Sequence, residues 1–537
     1  MPSVADMIFV ALLSALVFTN LSVRLLGDAG IGWHIRTGQQ ILATHAIPRV
    51  DSFSSTMASR PWFAWEWLYD LVVGQLEATL GLNGVVWFTA VVIAAAFAWM
   101  FRLLILRRTN MLVALGLVLL GVSASMIHFL ARPHVVSWLF TLAWFRMLDS
   151  SERDSLNGQG ERLYHEGHEV TRRKSIHKFF VIIRSLGGSG TKRLWALPLL
   201  MLLWVNIHGG FLIGFVLWGI FLLGAGWTWF KTKEGRIEEL LQRVAAAKRV
   251  RNLAWVGVLS AAASFVNPYG WKLHAHIYSY LSNRFLTDHI EEFQSPNFHG
   301  IAQRCFLAFL LITVAVLAFR GRELRMSSGL TVLFAVYAGL YASRNIPVSS
   351  ILLVMIVGPL LHAPKFAQRF SQRMETVEVG LRGHVWPILA IVFTLAIAVN
   401  GGRIGNNRLM DAHFNPKHMP VEAANYLEKY GVKGPVLSPD SWGGYLIYRL
   451  YPKMRVVVDD RHDLYGEQFL KSYLKMTHLG RGWPEFLDTH ETSCILLPRD
   501  AALASILSET KGWKTLYEDN LSIVFVRDPV LPKTRQN

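Results

Sequence analysis

Polar side chains that could take part in acid–base or phosphate chemistry stand beside apolar runs at six places in the sequence. They are Asp28 with Trp33-His34, Asp51-Ser52-Phe53-Ser54, Arg132-Pro133-His134, Asn206-Ile207-His208-Gly209-Gly210, Asn267-Pro268-Tyr269-Gly270 and Arg344-Asn345-Ile346-Pro347. Charged groups beside apolar spans are costly and tend to line a cavity or a pathway. A carboxylate there can accept a proton, and arginine or histidine can donate hydrogen bonds to a phosphate. One such motif alone is often only a helix anchor or a helix stop, so convergence of the six is the stronger signal.

The composition indicates what kind of protein must position these groups. Of the 537 residues, 52% are hydrophobic and 17% are charged, whereas soluble domains carry about 25% charged residues. The net charge of +17 is concentrated in loops between apolar runs. This is the pattern of membrane topology and not of a nucleic-acid groove. The two cysteines, Cys305 and Cys494, are too few for a disulfide framework or a metal cluster.

Eleven apolar segments are candidates to cross a bilayer as helices, which takes about 20 residues each. They are 7–24, 82–101, 111–128, 135–149, 194–208, 210–230, 253–267, 304–319, 327–343, 347–362 and 385–400. The first of them is predicted to be a transmembrane helix and not a cleavable signal peptide, because no basic residue precedes it and no small-residue cleavage site follows.

Basic residues decide the orientation of these spans. With the N-terminus inside, all five basic clusters, including Arg172-Arg173-Lys174 in the loop 150–193, fall on the cytoplasmic side. This orientation requires that a helix predicted over 62–80 does not cross the bilayer. The helix is Trp-rich at its start and carries three acids, so it suits the membrane interface.

The outer side then holds a first outer loop, 25–81, a second long loop, 268–303, several short turns and the tail. We predict a transmembrane domain over 1–400, including that loop, and a small extracytoplasmic α/β domain over 401–537. The tail is far less apolar, and strand-like runs alternate in it with helical patterns. Strands are predicted at 436–438, 455–458, 494–497 and 522–526, and helices at 421–430, 467–477 and 501–509.

The first outer loop carries a recognisable layout. It begins with Asp28, continues with Trp33-His34-Ile35-Arg36-Thr37-Gly38-Gln39-Gln40-Ile41 and Ile47-Pro48-Arg49-Val50-Asp51, and ends in Trp62-Phe63-Ala64-Trp65-Glu66-Trp67. This layout resembles the integral-membrane glycosyltransferases of the GT-C fold, and it also looks like bacterial membrane proteins known as predicted glycosyltransferases. The resemblance implies a polytopic α-helical fold, a polyprenyl-phosphate-linked sugar donor, two juxtamembrane helices in the first loop and an essential acid soon after the first span. It also implies the bacterial cytoplasmic (inner) membrane as the location.

The resemblance leaves the question of a metal cofactor open. First loops of GT-C enzymes often pair two acids, sometimes with a divalent metal ion. In this chain Ala29-Gly30 follow Asp28, so a divalent metal ion stays possible but no metal ligand is assigned.

A second resemblance lies in the tail. Ser441-Trp442-Gly443-Gly444-Tyr445, followed by Val456-Val457-Val458-Asp459-Asp460, is similar to the Trp-Trp-Asp-Tyr-Gly segment of oligosaccharyltransferase catalytic subunits, which helps to hold the acceptor. The second Trp and the Asp of that motif are absent here. The alternative interpretation is a strand-to-helix turn that needs two glycines.

These resemblances imply roles for particular residues. A base must accept the proton of the acceptor hydroxyl, and Asp28 is the first candidate, with Asp51 in the same loop as its rival. The departing phosphate needs donors that are already in place. Glu66 could orient the sugar or only cap its helix. Candidates for contacts to the donor phosphate or the substrate are His34, Glu66, Arg132, His134, His208, Arg344, Trp442 and Tyr445.

The predicted function is transfer of a sugar from a polyprenyl-phosphate donor to an extracytoplasmic glycan, lipid or protein, with inversion at the anomeric carbon. The competing class is a non-catalytic transporter or scaffold in envelope polysaccharide assembly. Transporters tend to show repeats and midplane ion sites, whereas this sequence has no internal repeat and its polar motifs fall on one face. We therefore expect six residues to surround one cavity: Asp28, His34, Asp51, Arg132, His208 and Arg344.

Overall fold

The computed structural model describes residues 2–169, 192–232, 237–362, 365–381 and 384–528. Part of the predicted basic loop 150–193, with Arg172-Arg173-Lys174, lies outside the described residues.

Helices dominate the chain up to residue 400. They are α1 (Val4–Phe18), α2 (Leu21–Leu25), α3 (Ile31–Thr44), α4 (Trp67–Leu106), α5 (Met111–Ser125), α6 (His134–Glu169), α7 (Leu197–Val205), α8 (Phe211–Lys231), α9 (Ile237–Ser264), α10 (Trp271–Ser282), α11 (Arg284–His289), α12 (Ile301–Arg320), α13 (Met326–Tyr341), α14 (Ile346–Val357), α15 (Lys365–Gly380) and α16 (Val385–Val399). Each of the eleven predicted spans overlaps one or two of these helices.

The helices of the described residues fall into groups that differ in the length of their apolar stretches. Five are long and apolar enough to cross a membrane: Trp67–Leu106, Met111–His128, Phe211–Lys231, Ile301–Glu323 and Ser343–Leu360. Four shorter helices are also apolar: Val4–Phe18, Leu194–Val205, Met326–Tyr341 and Val385–Val399. The predicted spans 135–149 and 253–267 lie inside α6 and α9, whose remaining turns carry many charged residues. A polytopic α-helical membrane fold is therefore confirmed.

The helix α4 consists of two limbs, 67–80 and 82–106, that meet at Gly81. The backbone of Gly81 has φ 62° and ψ −161°, a conformation that only glycine adopts readily. The prediction of a helix separate from the span 82–101 thus coincides with a break in the backbone. Its start at Trp62 is wrong, however, because the helix begins at Trp67. The preceding residues are held outside it, since Trp62 N–H donates to the Arg49 carbonyl. Its orientation relative to the bilayer stays a prediction.

The helix α3 packs against the 67–80 limb, so the first outer loop contains the two helices that the resemblance implied. Glycine permits their close approach, because a Cβ on Gly38 would lie 1.8 Å from the Asp70 carbonyl oxygen. On the α4 side of this contact, a Cβ on Gly74 would lie 2.7 Å from the Gln39 nitrogen. These contacts place the middle of α3 beside the first two turns of α4.

The tail forms a small α/β unit around a four-stranded sheet. Its elements are the hairpin β1 (Arg403–Ile404) and β2 (Asn407–Arg408), then α17 (Val421–Tyr430), β3 (Val436–Leu437), α18 (Asp440–Leu450), α19 (His462–Thr477), α20 (Trp483–Thr489), β4 (Cys494–Pro498), α21 (Ala502–Glu509), β5 (Trp513–Glu518) and β6 (Ser522–Arg527). The sheet order is β3-β4-β6-β5, with β3 parallel to β4 and the other pairs antiparallel. The α/β character is confirmed; the division into domains 1–400 and 401–537 stays a prediction.

Two details of the tail differ from the predictions. The predicted strand 455–458 is not a sheet strand, because only Val456 forms bridges, one to Ser54 of the first outer loop and one to Val436. The two glycines at 443 and 444 lie inside α18 and not in a turn. They are needed for close packing, since a Cβ on Gly444 would lie 2.4 Å from the Ala29 carbonyl oxygen. The tail therefore contacts the first outer loop directly.

Candidate active site in the outer polar cluster

An ion-paired group of three residues lies where the start of α3, the start of α6 and the tail meet. Arg132 Nε and Nη2 donate to Asp28 Oδ2 and Oδ1 at 2.9 and 3.0 Å. The same Nη2 donates to Asp460 Oδ2 at 2.7 Å. Asp460 Oδ1 also accepts from Trp33 Nε1. One guanidinium thus joins two carboxylates from distant parts of the chain.

Glu66 lies between two histidines beside this group. Its Oε2 is 3.8 Å from His34 Nε2, and its Oε1 is 3.7 Å from His208 Nε2. Glu66 occupies the N-cap position of α4, but its side chain makes no capping hydrogen bond. The alternative that Glu66 only caps its helix is therefore wrong, and its carboxyl group is free to face the histidines.

His34 is fixed by Asp70 on its other side. His34 Nδ1 and Asp70 Oδ1 are 2.6 Å apart, and both side chains are fully buried. Within the described chain, His34 Nε2 is buried without a hydrogen-bond partner. Burial is the main reason that the pKa of His34 lies well below its usual range, and the positive charge of Arg132 lowers that pKa further. The Nδ1 atom of the neutral His34 ring is hydrogen-bonded to Asp70, so Nε2 is the ring nitrogen that faces Glu66.

Burial also changes the protonation of the carboxyl groups. It raises the pKa of Glu66 to about 8, although Arg132 and Arg344 oppose the shift. It raises the pKa of Asp460 to about 6, again against Arg132. Glu66 is therefore mostly protonated at neutral pH, so it can donate a hydrogen bond there.

Arg344 extends the cluster from the turn before α14. Its Nη1 lies 3.2 Å from Glu292 Oε1, and its guanidinium carbon is 4.5 Å from the ring centre of Phe293. Burial pushes the pKa of Glu292 upward, but Arg344 and Arg132 outweigh it and lower the pKa to about 2.

We call Asp28, His34, Glu66, Arg132, His208, Arg344 and Asp460 the outer polar cluster. Its members are deep enough for burial to dominate the pKa values of Glu66 and Asp460, yet Arg132 and Asp28 keep 23% and 27% of their side-chain surfaces exposed. Ionisable groups with shifted pKa values that also stay partly exposed are typical of functional sites. His128 is within electrostatic range of both Asp28 and Arg344, so these two lie on the same side of the bundle. His134 borders the cluster, with its Nε2 2.9 Å from the His128 carbonyl oxygen.

Asp51 is the one of the six expected residues that lies outside the cluster. Its side chain is fully buried, and Oδ1 accepts from Arg461 Nη1 at 2.8 Å. Oδ2 accepts from the backbone N–H and the hydroxyl of Ser54. A carboxylate so enclosed has no accessible lone pair for an acceptor hydroxyl, so the geometry does not support Asp51 as the rival base.

Trp442 and Tyr445 also lie apart from the cluster. Trp442 is 6% exposed and donates its Nε1–H to the His418 carbonyl, while the Tyr445 hydroxyl accepts from Arg449. Both rings pack in the interior of the tail, where they position α18. This placement does not support a substrate contact for either side chain.

The surroundings of Asp28 do not fit a divalent metal ion. Among the described residues, no group of three or more His, Cys, Asp and Glu side chains is arranged to hold a metal. The guanidinium of Arg132 instead lies between the carboxylates of Asp28 and Asp460. A Cβ on Gly30 would lie 2.5 Å from that guanidinium, so the Ala29-Gly30 pair after Asp28 makes room for an arginine.

Three residues of the site escaped prediction: Asp70, Glu292 and Asp460. Asp70 follows Glu66 by four positions, so both lie on one helix face, and this spacing is the sequence signal that indicates it. Asp460 stands after the apolar run 456–458, and such positions are frequent at binding sites. Glu292 lies in the predicted outer loop 268–303, where no local pattern marks it.

Comparisons with known proteins give similarity at the level of the fold and not of the sequence. No family model matches the chain, and no curated protein matches it. Among solved structures, the Archaeoglobus fulgidus oligosaccharyltransferase tethered with an acceptor peptide containing the NVT sequon matches with a TM-score of 0.53 at 10% identity, over 98% of this chain and 74% of that chain. The same enzyme in complex with Zn and sulfate gives 0.47 at 11% identity, over 97% and 73%. ArnT from Cupriavidus metallidurans bound to undecaprenyl phosphate gives 0.45 at 14% identity, over 98% of both chains.

The first of these likenesses shows a shared fold. The chain has the GT-C fold that its first outer loop predicts, and the match extends over nearly its whole length. At 10% identity the match shows the fold and not the chemistry.

Proposed function

We propose that the protein is a membrane glycosyltransferase that moves a sugar from a polyprenyl-phosphate-linked donor to an extracytoplasmic glycan, lipid or protein. The observation that carries the proposal is the outer polar cluster itself. In it the accessible carboxylate of Asp28 is paired with Arg132, and Arg344 lies in the same cluster, within a GT-C fold. A base and phosphate donors must converge for such a transfer. Surface anchors would have no reason to do so.

In the proposed reaction Asp28 accepts the proton of the acceptor hydroxyl. The acceptor oxygen bonds to the anomeric carbon while the bond from that carbon to the phosphate oxygen breaks, and the lipid phosphate leaves. A single displacement of this kind inverts the anomeric centre. Arg132 orients Asp28 through two hydrogen bonds and leaves part of Oδ2 free. No step needs a metal, because Arg132 supplies the positive charge beside the carboxylates.

Arg344 and Arg132 are the proposed donors to the departing phosphate. Both are in place before charge develops, which is the condition for effective electrostatic stabilisation. The protonated Glu66, between His34 and His208, is the proposed donor to a sugar hydroxyl. A polyprenyl chain would stay in the bilayer, so the proposed site would open sideways to lipid.

The test of the proposal is binding of undecaprenyl phosphate to the protein in nanodiscs. We expect Arg344→Gln to weaken binding roughly 10- to 100-fold, since a hydrogen bond to a charged group contributes about 1.5–3 kcal/mol. The matched control is Arg499→Gln, which removes an exposed arginine paired with Glu518 and should bind as the wild type does. Equal binding of undecaprenol, which lacks the phosphate, would contradict the proposed phosphate contacts.

Glu66 gives the site a pH dependence that can be measured. Its pKa of about 8 lies above the ordinary carboxyl value, so the folded state binds this proton more tightly than the unfolded state does. The stabilisation is complete below about pH 4.5 and is lost as the pH rises through 8, by up to about 1.4 kcal/mol per pH unit. We expect the Tm of the wild type to fall more between pH 6 and 8.5 than the Tm of Glu66→Gln. Parallel profiles for the two proteins would show that Glu66 is already ionised.

A further inference from the structure

A charged cavity lies at the opposite end of the bundle from the outer polar cluster. The helix α6 begins at His134, which borders the cluster, and its residues Phe145 to Asp154 lie roughly 16 to 30 Å further along at 1.5 Å per residue. There the end of α4, Leu103 to Arg107, forms one wall of a cavity of about 230 Å³. The other walls are α6 from Phe145 to Asp154, Arg193 before α7, and Met355 at the end of α14.

Four arginines line this cavity against two aspartates: Arg107, Arg146, Arg153 and Arg193 against Asp149 and Asp154. Asp149 is already shared, because it accepts from Arg107 at 3.1 Å, from Arg153 at 2.8 Å and from Arg325 at 2.7 Å. Positive charge therefore remains in excess at the cavity.

The excess positive charge of the cavity belongs mainly to Arg146 and Arg193. Arg146 has Arg153 and Arg193 within electrostatic range, and its guanidinium lies 5.9 Å from the ring centre of Trp99. Like charges so placed repel one another unless an anion lies between them. Arginine is also the side chain that matches phosphate geometry best.

The apolar part of the wall indicates what carries the anion. Leu106, which lines the cavity, is 46% exposed, and Trp195 beside Arg193 is 45% exposed. Such residues face lipid in a membrane protein, with Trp favoured at the headgroup level. The cavity is smaller than typical ligand pockets of 300–1,000 Å³, which suits a headgroup and not a whole lipid. Basic pockets between helices on the cytoplasmic side are known to hold anionic headgroups.

We propose that this cavity binds the phosphodiester of an anionic lipid, with Arg146, Arg153 and Arg193 around the phosphate and an acyl chain along Leu103 and Leu106. The site is independent of the proposed transfer reaction, because it lies at the other end of the bundle. Its occupant would connect α6, through Arg146 and Arg153, to Arg193 before the start of α7.

The experiment measures binding of short-chain phosphatidylglycerol to the full chain in detergent by native mass spectrometry. Phosphatidylcholine and inorganic phosphate are the comparison ligands. We expect the double variant Arg146→Gln/Arg193→Gln to bind phosphatidylglycerol roughly 30-fold more weakly, from about 1 kcal/mol per arginine. The matched control, Arg284→Gln/Arg403→Gln, removes two exposed arginines elsewhere and should bind as the wild type does.

Each remaining outcome has a defined meaning. Equal affinity of the double variant and the wild type would overturn the proposed site, as would equal binding of phosphatidylcholine. Inorganic phosphate binding as tightly as phosphatidylglycerol would keep an anion site but overturn the lipid. Should the double variant fold poorly, Arg193→Gln alone is expected to weaken binding about fivefold, since this arginine is exposed.

Discussion

Asp28→Asn is expected to lower the rate of sugar transfer about 10²- to 10⁴-fold at saturating donor and acceptor, the usual contribution of a positioned base. Asparagine is nearly isosteric with aspartate but cannot accept the proton of the acceptor hydroxyl. The protein should still insert and purify normally. The side chain of Asp28 is 27% exposed, and the amide oxygen of asparagine can still accept a hydrogen bond from Arg132, so the loss of the charge is partly compensated. The measurement is transfer of radiolabelled sugar from a polyprenyl-phosphate donor in proteoliposomes.

The control for Asp28→Asn is Asp411→Asn. Asp411 forms an exposed ion pair with Arg408 at 2.6 Å in the tail, outside the outer polar cluster, so the same chemical change there should leave transfer intact. An Asp28→Asn protein with the turnover of the wild type would remove Asp28 from the chemistry. Loss of transfer in Glu66→Gln but not in Asp28→Asn would move the base to Glu66.

The helical part of the fold could be predicted because apolar length is a local property of the sequence. Each predicted span overlaps a helix, and the acids of the 67–80 limb separated it correctly from the span that follows Gly81. The helix α18 could not be predicted in this way. Its Ser441-Trp442-Gly443-Gly444 start has low helix propensity, and the reason for the glycines is contact with Ala29, far away in the sequence.

The site could be predicted only in part, because the partners of charged groups are not a local property. The topology brought Asp28, His34, Arg132, His208 and Arg344 to one side, and the structure brings them together. Nothing in the sequence showed that Arg132 would pair with both Asp28 and Asp460. Nor could it show that Asp51, so close to Asp28 in the chain, would instead pair with a residue 410 positions away. Asp51 was a rival base because it lies near Asp28 in the sequence. Its burial and its ion pair with Arg461 indicate a structural role instead.

That distant partner, Arg461, is where we expect the largest loss of stability. Its side chain is 1% exposed and lies between two buried carboxylates, with Nη1 2.8 Å from Asp51 and Nη2 2.7 Å from Asp459. Its guanidinium carbon also lies 4.7 Å from the ring centre of Trp62. These contacts hold the first outer loop against the tail. Arg461→Met would leave two buried carboxylates without their cation, a change that typically costs 3–5 kcal/mol.

We therefore expect Arg461→Met to lower the Tm in detergent more than any single variant of the outer polar cluster does. The matched control is Arg499→Met, whose exposed pair with Glu518 should contribute about 0–1 kcal/mol. A double-mutant cycle with Asp51→Asn separates loss of the pair from loss of packing. Asp51→Asn should partly rescue Arg461→Met, because it removes one of the two unpaired charges. Additive losses in the cycle, or an Arg461→Met protein as stable as Arg499→Met, would mean that the loop and the tail are held together without this ion pair.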